Sequence, residues 1–355
     1  MGSLPFPTKT AEVNHDYDTY IAGGFAPLPM FKYDRFVALT SGGEAVDAAL
    51  KIARKWGCLT KGIAPDQCFI MSTTACYHGV GLSPLSLASK KSPRTVSPSG
   101  QIIRFGNLDD VRRAFEADGD RIAAFILEPI QGASGVFVPP EDYLPGLAGL
   151  CREHNILLIT DEIQTGLGRC GFPLYHMKFN IKPDLVILGK GLGGGLHPIS
   201  GVLGNNSVME LLDPYEVGST MAANPPGCAA ALAALDVLEE ENLAARATGM
   251  GQVLIDTIKS LNPPHVKEYM GCGLLWAVVI EEKPPMVTSR RVVALLTQRG
   301  LLANAIKGGR IRLCPPLNIE EDLVVKGAKM VAQALFDVES HPLGLPGEVV
   351  PLKYA

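Results

Sequence analysis

The chain has 355 residues, 47% hydrophobic and 19% charged, with 32 Lys and Arg against 36 Asp and Glu and a formal net charge of −4. That composition is globular, and the length suits one large domain and one smaller one. A mildly acidic chain with no Lys/Arg block argues against nucleic acid and anionic membranes as partners, and no apolar run reaches the length of a membrane span.

The first stretch, MGSLPFPTKTAEVNHDYD, lacks the apolar core of a signal peptide. Phe6 stands where a myristoylation motif needs Ser or Thr. The stretch is not basic enough for a transit peptide, so the expected compartment is cytoplasmic, with a mitochondrial location left open. Residues 1–34 read as irregular, with GGFAPLP (23–29) extended. TSGGEAVDAALKIARKWG (40–57) begins with small residues and turns helical, with Ala45, Ala49, Ile52, Ala53 and Trp56 on one side. Ser41, Gly42 and Gly43 then sit at a helix N-terminus, where free N–H groups and the dipole favour an anion. Taken alone, an ordinary capped helix start is the better account.

CFIM (68–71) reads as a strand leading into TTACYHGVG (73–81), and KKSPRTVSPSGQ (90–101) as an exposed loop. Asn107–Ala117 is an Asn-capped helix. Ile122–Leu127 is a strand ending at Glu128, and Tyr143–His154 a helix. Ile199–Leu203 is a short strand, and Gly218-Ser219-Thr220 precedes a helix over Pro225–Glu241. From about 260 the pattern is mixed: a strand at 274–280, a helix at 288–299, a strand at 311–313 and a helix at 320–337. The organisation expected is an N-terminal segment 1–34, a large domain 35–258, a small C-terminal domain 259–340 and a surface tail 341–355. The eight cysteines form no CxxC pair and read as reduced thiols; no His/Cys/acid cluster has metal-ligand spacing, so no metal is expected.

The most informative stretch is 156–195, ILLITDEIQTGLGRCGFPLYHMKFNIKPDLVILGKGLGGG. Two apolar runs, Ile156–Thr160 and Leu185–Leu188, stop abruptly at Asp161 and at Gly189-Lys190-Gly191. They read as buried parallel strands joined by a crossover. Parallel strands release their ends on one edge, where open α/β sheets bind ligands, so Asp161 and Lys190 should face one crevice. A carboxylate and an amine so placed suit pyridoxal 5′-phosphate, which needs a lysine for its aldehyde and an acid for its ring nitrogen. Separately, Asp161 could be a helix cap and Lys190 a solvated lysine; as a pair, the cofactor reading is favoured. A nucleotide P-loop fits poorly, because no GxxxxG precedes Lys190 and no Ser or Thr follows it.

LEPIQG (127–132), LLITDEIQTGLGRCG (157–171), LGKGLGGGLHPISGVLG (188–204) and GSTMAANPPGCAAALAALDVLEEENL (218–243), with TSGGEAVDAALKIARKWG and IRLCPPLNIEEDL (311–323), resemble class III aminotransferases, within them the ornithine aminotransferase type. The resemblance runs from about Phe36 to Leu335. It implies an α/β fold, the fold type I of pyridoxal-phosphate transferases: a large domain with a mostly parallel sheet flanked by helices, and a smaller α+β C-terminal domain. It also implies a homodimer with sites at the interface.

Residue by residue, the resemblance places Lys190 as the Schiff-base lysine and Asp161 at the ring nitrogen. Tyr77 would stack on the ring, with His78 beside it. Gln164 would bond the phenolic oxygen, next to Ile163. Ser41, Gly42 and Gly43 would hold the phosphate, and Ser219 and Thr220 the phosphate of the partner subunit. Glu128 would shape the substrate region, and Arg312 would bind an acceptor carboxylate.

Several positions depart from the pattern. A family segment of several tens of residues is absent between PLPMFKYDRF and TSGGEAV. The family arginine after the aromatic loop is Val80, the glutamate that masks the acceptor arginine is Ala133, and a tyrosine near the N-terminus is Phe25. Gly-Gly in the partner-facing loop is Ala222-Ala223. The expectation is therefore an aminotransferase with non-ornithine specificity. The alternative is a repurposed fold: a non-transaminating enzyme of the same cofactor (decarboxylase, racemase or lyase), a cofactor-free enzyme or a binding partner.

Overall fold

Asp161 and Lys190 owe their positions to a six-stranded sheet whose strands lie in the order Arg35–Leu39, Ser200–Gly204, Leu185–Leu188, Leu157–Asp161, Ile122–Leu127 and Phe69–Met71. The computed structural model describes residues 31–88, 96–213 and 216–348. They form two compact units. The first holds the described residues as far as Pro129, with Pro140–Gln164 and His176–Asp236; the second holds Ile130–Pro139, Thr165–Tyr175 and the described residues from Val237.

The first unit runs β1 (Arg35–Leu39), α1 (Gly42–Leu59), β2 (Phe69–Met71), α2 (Leu82–Ala88), α3 (Leu108–Asp118), β3 (Ile122–Leu127), α4 (Tyr143–Glu153), β4 (Leu157–Asp161), β5 (Leu185–Leu188), β6 (Ser200–Gly204), α5 (Asn206–Met209) and α6 (Pro225–Glu240), whose last turn crosses the boundary. Strands β2 to β5 pair in parallel, as their continuous apolar runs predict. β6 is antiparallel to both β5 and β1. Alternate residues (Ala124 and Ile126, Leu157 and Ile159, Leu185 and Ile187) join the Ala45, Ala49, Ile52, Ala53 and Trp56 stripe of α1 in one core. That spacing of small residues lets α1 lie close to the sheet.

α1 starts where the small residues end. Ser41 is its N-cap and forms a capping box with Glu44. The Ser200 hydroxyl donates to the Ser41 carbonyl oxygen at 2.7 Å, tying β6 to the start of α1.

The second unit runs α7 (Leu243–Ser260), β7 (Val266–Cys272), β8 (Leu275–Ile280), α8 (Ser289–Gln298), β9 (Asn304–Ile306), β10 (Arg310–Leu313) and α9 (Glu321–Asp337). Its sheet follows the order β7-β8-β10-β9. Ile311 and Leu313 of β10 face a core shared with α7, α8 and α9. Among the described residues no helix is long and apolar enough to cross a membrane.

Local differences from the sequence expectation have physical causes. The expected exposed loop 90–101 is, in its described part, a turn closed by a Val96–Ile102 bridge; Ser97 is buried, and the Ser99 amide donates to Asp118 at 3.0 Å. The polar residues there bond to one another, a use composition does not reveal. α6 and α7 are separate helices because Asn242 adopts φ 47, a left-handed conformation Asn tolerates. Strand β1 carries Arg35 among five residues and gave no strand signal on its own.

Gly201 lies where a methyl group would run into the Phe36 ring and the Val37 carbonyl oxygen of β1. Gly201→Ala should destabilise the chain by about 1–3 kcal/mol through overpacking. A lowered denaturant midpoint at unchanged m-value would show it; an unchanged midpoint would mean β1 is not held against β6.

Candidate active site

Asp161 is the last residue of β4 and pairs with Ile187 of β5. Lys190 opens a 3-10 turn, Lys190–Gly193, just beyond β5. Its backbone has φ 43, a left-handed conformation that costs a non-glycine residue on the order of 1 kcal/mol and is commonest at functional sites. Both residues line a cavity of about 200 Å³ within the first unit, together with Gly42, Gly43, Tyr77, His78, Gly79, Glu128, Ile163 and Gln164. The sheet edge, the start of α1 and the loop after β2 thus converge as the sequence predicts.

Each wall has a local cause. Gly42 packs closely under Ile163: a Cβ there would sit 2.9 Å from the isoleucine Cδ1 and push that side chain aside. Gly79, with φ 115, lets the 77–79 loop pass the first turn of α1, since a Cβ would fall 3.4 Å from the Gly43 Cα. The buried Glu128 accepts the Tyr77 amide N–H at 2.8 Å and so fixes that loop from the end of β3. Tyr77 itself is half exposed on the cavity wall. Ser41 stands one residue outside the lining, its hydroxyl accepting the Glu44 amide.

The decisive contact is between Asp161 and His78, 83 residues apart in the chain. Both are buried. His78 Nδ1 donates to Asp161 Oδ2 at 2.7 Å, and Ile163 N–H donates to Oδ1 at 3.1 Å. His78 Nε2 lies 3.4 Å from the Ser72 hydroxyl. Burial is the largest single influence on His78 and pulls its pKa down. The hydrogen bonds and charges of Asp161 and Cys76 outweigh it and raise the pKa to about 10. The charged imidazolium is thus the favoured form, and its hydrogen bond holds the carboxylate in place.

Not every expected residue reaches this cavity. Val80, beside the loop, is 77% exposed, and Ser219 and Thr220, half-buried and exposed, lie on the segment before α6 and are not part of its lining. Arg312 and Ala133 belong to the second unit, where Arg312 Nη1 donates to the Gly132 carbonyl oxygen at 3.2 Å. Phe25 lies outside the described residues.

Residues 15–335 match the family model described as Aminotransferase class-III. The chain belongs to this family. It is 38% identical to the ornithine aminotransferase of Emericella nidulans over 334 residues, covering 90% of this chain and 74% of the relative. It is 39% identical to the mitochondrial ornithine aminotransferase of Arabidopsis thaliana, covering 87% of this chain and 66% of that one. Among solved structures, an ornithine aminotransferase from Toxoplasma gondii superposes with a TM-score of 0.81 at 36% identity, covering 88% of this chain and 74% of that chain.

Class-III aminotransferases are pyridoxal 5′-phosphate enzymes, and the cavity of this member fits that cofactor. An amine and a buried acid stand at neighbouring strand ends, and glycines at the start of α1 leave backbone N–H groups uncovered for a phosphate. Each Asp161 oxygen already accepts one protein donor and keeps lone-pair capacity for a ring N–H.

The raised pKa of His78 makes a pH prediction. Its protonated form is favoured by folding, so the stability it contributes is complete below about pH 6.5 and is lost as pH rises through about 10. The urea midpoint of His78→Asn should lie below wild type at pH 6, and the gap should narrow steadily toward pH 10. A constant gap would show that His78 is not charged in the folded chain.

Proposed function

We propose that this class-III aminotransferase moves an amino group from an amine or amino acid other than ornithine to a keto acid, at the cavity where β4, β5 and α1 meet. The single observation that carries the reading is the buried His78–Asp161 pair facing the same cavity as Lys190. When bound, the cofactor supplies an aldehyde for amines and a protonated ring that draws electrons from the substrate carbon. Lys190 holds that aldehyde at rest. With its amine released to the cavity by a donor amine, Lys190 would be the base placed to take up and return the proton of the donor carbon. Asp161, oriented by His78, keeps the ring nitrogen protonated. Tyr77, Ile163 and Gln164 would hold the cofactor ring from the cavity wall, and Gly42 and Gly43 would take the phosphate.

Arg312 is assigned the carboxylate of the acceptor. By the resemblance, Ser219 and Thr220 are assigned the phosphate held by the partner subunit in a homodimer. The retained lysine, acid and glutamine argue against a cofactor-free role.

The donor preference rests on substitutions. Val80 offers an exposed isopropyl group and Ala133 a methyl group where the resembled enzymes carry charges. Each charge-assisted hydrogen bond removed is worth about 1.5–3 kcal/mol. Incubation with L-ornithine and 2-oxoglutarate should therefore give turnover at least about tenfold below the best amine of a panel. Val80→Arg, on an open surface, should raise ornithine kcat/KM about tenfold or more. Efficient wild-type turnover of ornithine, or no gain in the variant, would contradict the assignment.

A further inference from the structure

In the second unit, Arg310 and Arg312 stand on one strand with no carboxylate partner among the described residues. Arg310 and Arg312 alternate on β10 with Ile311 and Leu313, so they share the face opposite the apolar core. That face meets the segment closed by the Gln131–Phe137 bridge. Arg310 lies over the Phe137 ring, 4.4 Å from its centroid. Gly135 makes room for it, because a Cβ there would stand 2.6 Å from Arg310 Cδ.

Arg291 and Arg299 are paired with carboxylates, and Arg169 and Arg246 with backbone carbonyl oxygens. Among the described residues, the hydrogen bonds and ring contacts of Arg310 and Arg312 are to carbonyl oxygens and one ring: Lys307 O at 3.5 Å, Gly308 O at 3.2 Å and the Phe137 ring for Arg310, and Gly132 O at 3.2 Å for Arg312. Arg310 Nε is buried with no hydrogen-bond partner. A guanidinium carries five donors in a fixed fork that matches a carboxylate, so each has donor capacity its neighbours do not use.

We infer that Arg310 is a specificity-determining residue that takes the second carboxylate of a dicarboxylic keto acid whose first carboxylate is bound by Arg312. The inference rests on the acceptor role proposed for Arg312. Strand residues two apart are separated by about 6.6 Å. Carbon–carbon bonds of about 1.5 Å place the end carbons of a five-carbon diacid roughly 5 Å apart. The two forks can therefore each engage one end of such a molecule. Stacking on Phe137 limits the freedom of the Arg310 side chain, which reduces the entropy lost on binding.

Glutarate, which has two carboxylates and no keto group, probes the site without turnover. Calorimetric titration of the wild-type holoenzyme should show glutarate binding at least about tenfold more tightly than butyrate. Arg310→Gln should lose that preference while leaving butyrate affinity within about twofold, and Arg310→Lys should recover part of it. Equal wild-type affinities, or equal losses for both ligands in Arg310→Gln, would overturn the inference, the latter marking Arg310 as a support for the 131–137 segment alone. A preference for glutarate that depends on Arg310, in a protein that converts no amine with any keto acid, would leave the diacid site standing and refute the transamination reading.

Discussion

Asp161 ends a buried parallel strand with both carboxylate oxygens engaged, one by the His78 imidazole and one by the Ile163 amide. A carboxylate this deep is tolerated only if it is paired and hydrogen-bonded. The pair orients the acid toward the cavity and joins the loop after β2 to the sheet edge. Tyr77, one residue before His78, is fixed by Glu128 from the neighbouring strand. Two carboxylates at adjacent strand ends thus shape one loop, and that loop forms a wall of the cavity.

The remaining walls follow from close approaches that side chains would forbid. α1 begins against Ile163 because Gly42 has no Cβ, and the Ser200 hydroxyl holds its N-cap to β6. Lys190 adopts its left-handed backbone between two glycines, immediately after β5. The amine of Lys190, the acid of Asp161 and the helix N-terminus that suits a phosphate are therefore anchored to one rigid sheet rather than to independent loops. A cofactor that must be gripped at three points benefits from that arrangement.

The sheet edge was legible in the sequence because the runs before Asp161 and Lys190 are continuous and apolar, the pattern of strands buried on both faces. The Ala stripe of α1 was legible from its helical spacing, whereas the glycines before it read alone as an ordinary capped helix start and took on a phosphate only through the resemblance. The His78–Asp161 contact was not, because it joins residues 83 apart and a loop histidine carries no periodic signal. The interleaving of the two units was hidden as well: residues 130–139 and 165–175 belong with the second unit, although each is flanked in sequence by parts of the first. The Arg310–Phe137 stack joins one of those interleaved segments to the C-terminal stretch of the second unit, and neither residue stands out when read along the chain.

The first unit holds the cavity lined by Lys190 and Asp161, and the second holds Arg310 and Arg312. On the proposed reading, the first would carry the cofactor and the second the acceptor carboxylates. The claim on which both depend is that the Lys190 amine is the group that holds the cofactor. Borohydride reduction of the yellow holoenzyme followed by peptide mass mapping tests it most directly. The account predicts loss of the visible absorbance and a cofactor-sized mass increment on the peptide containing Lys190. An increment on another lysine, or a protein that stays colourless when the cofactor is added, would contradict it.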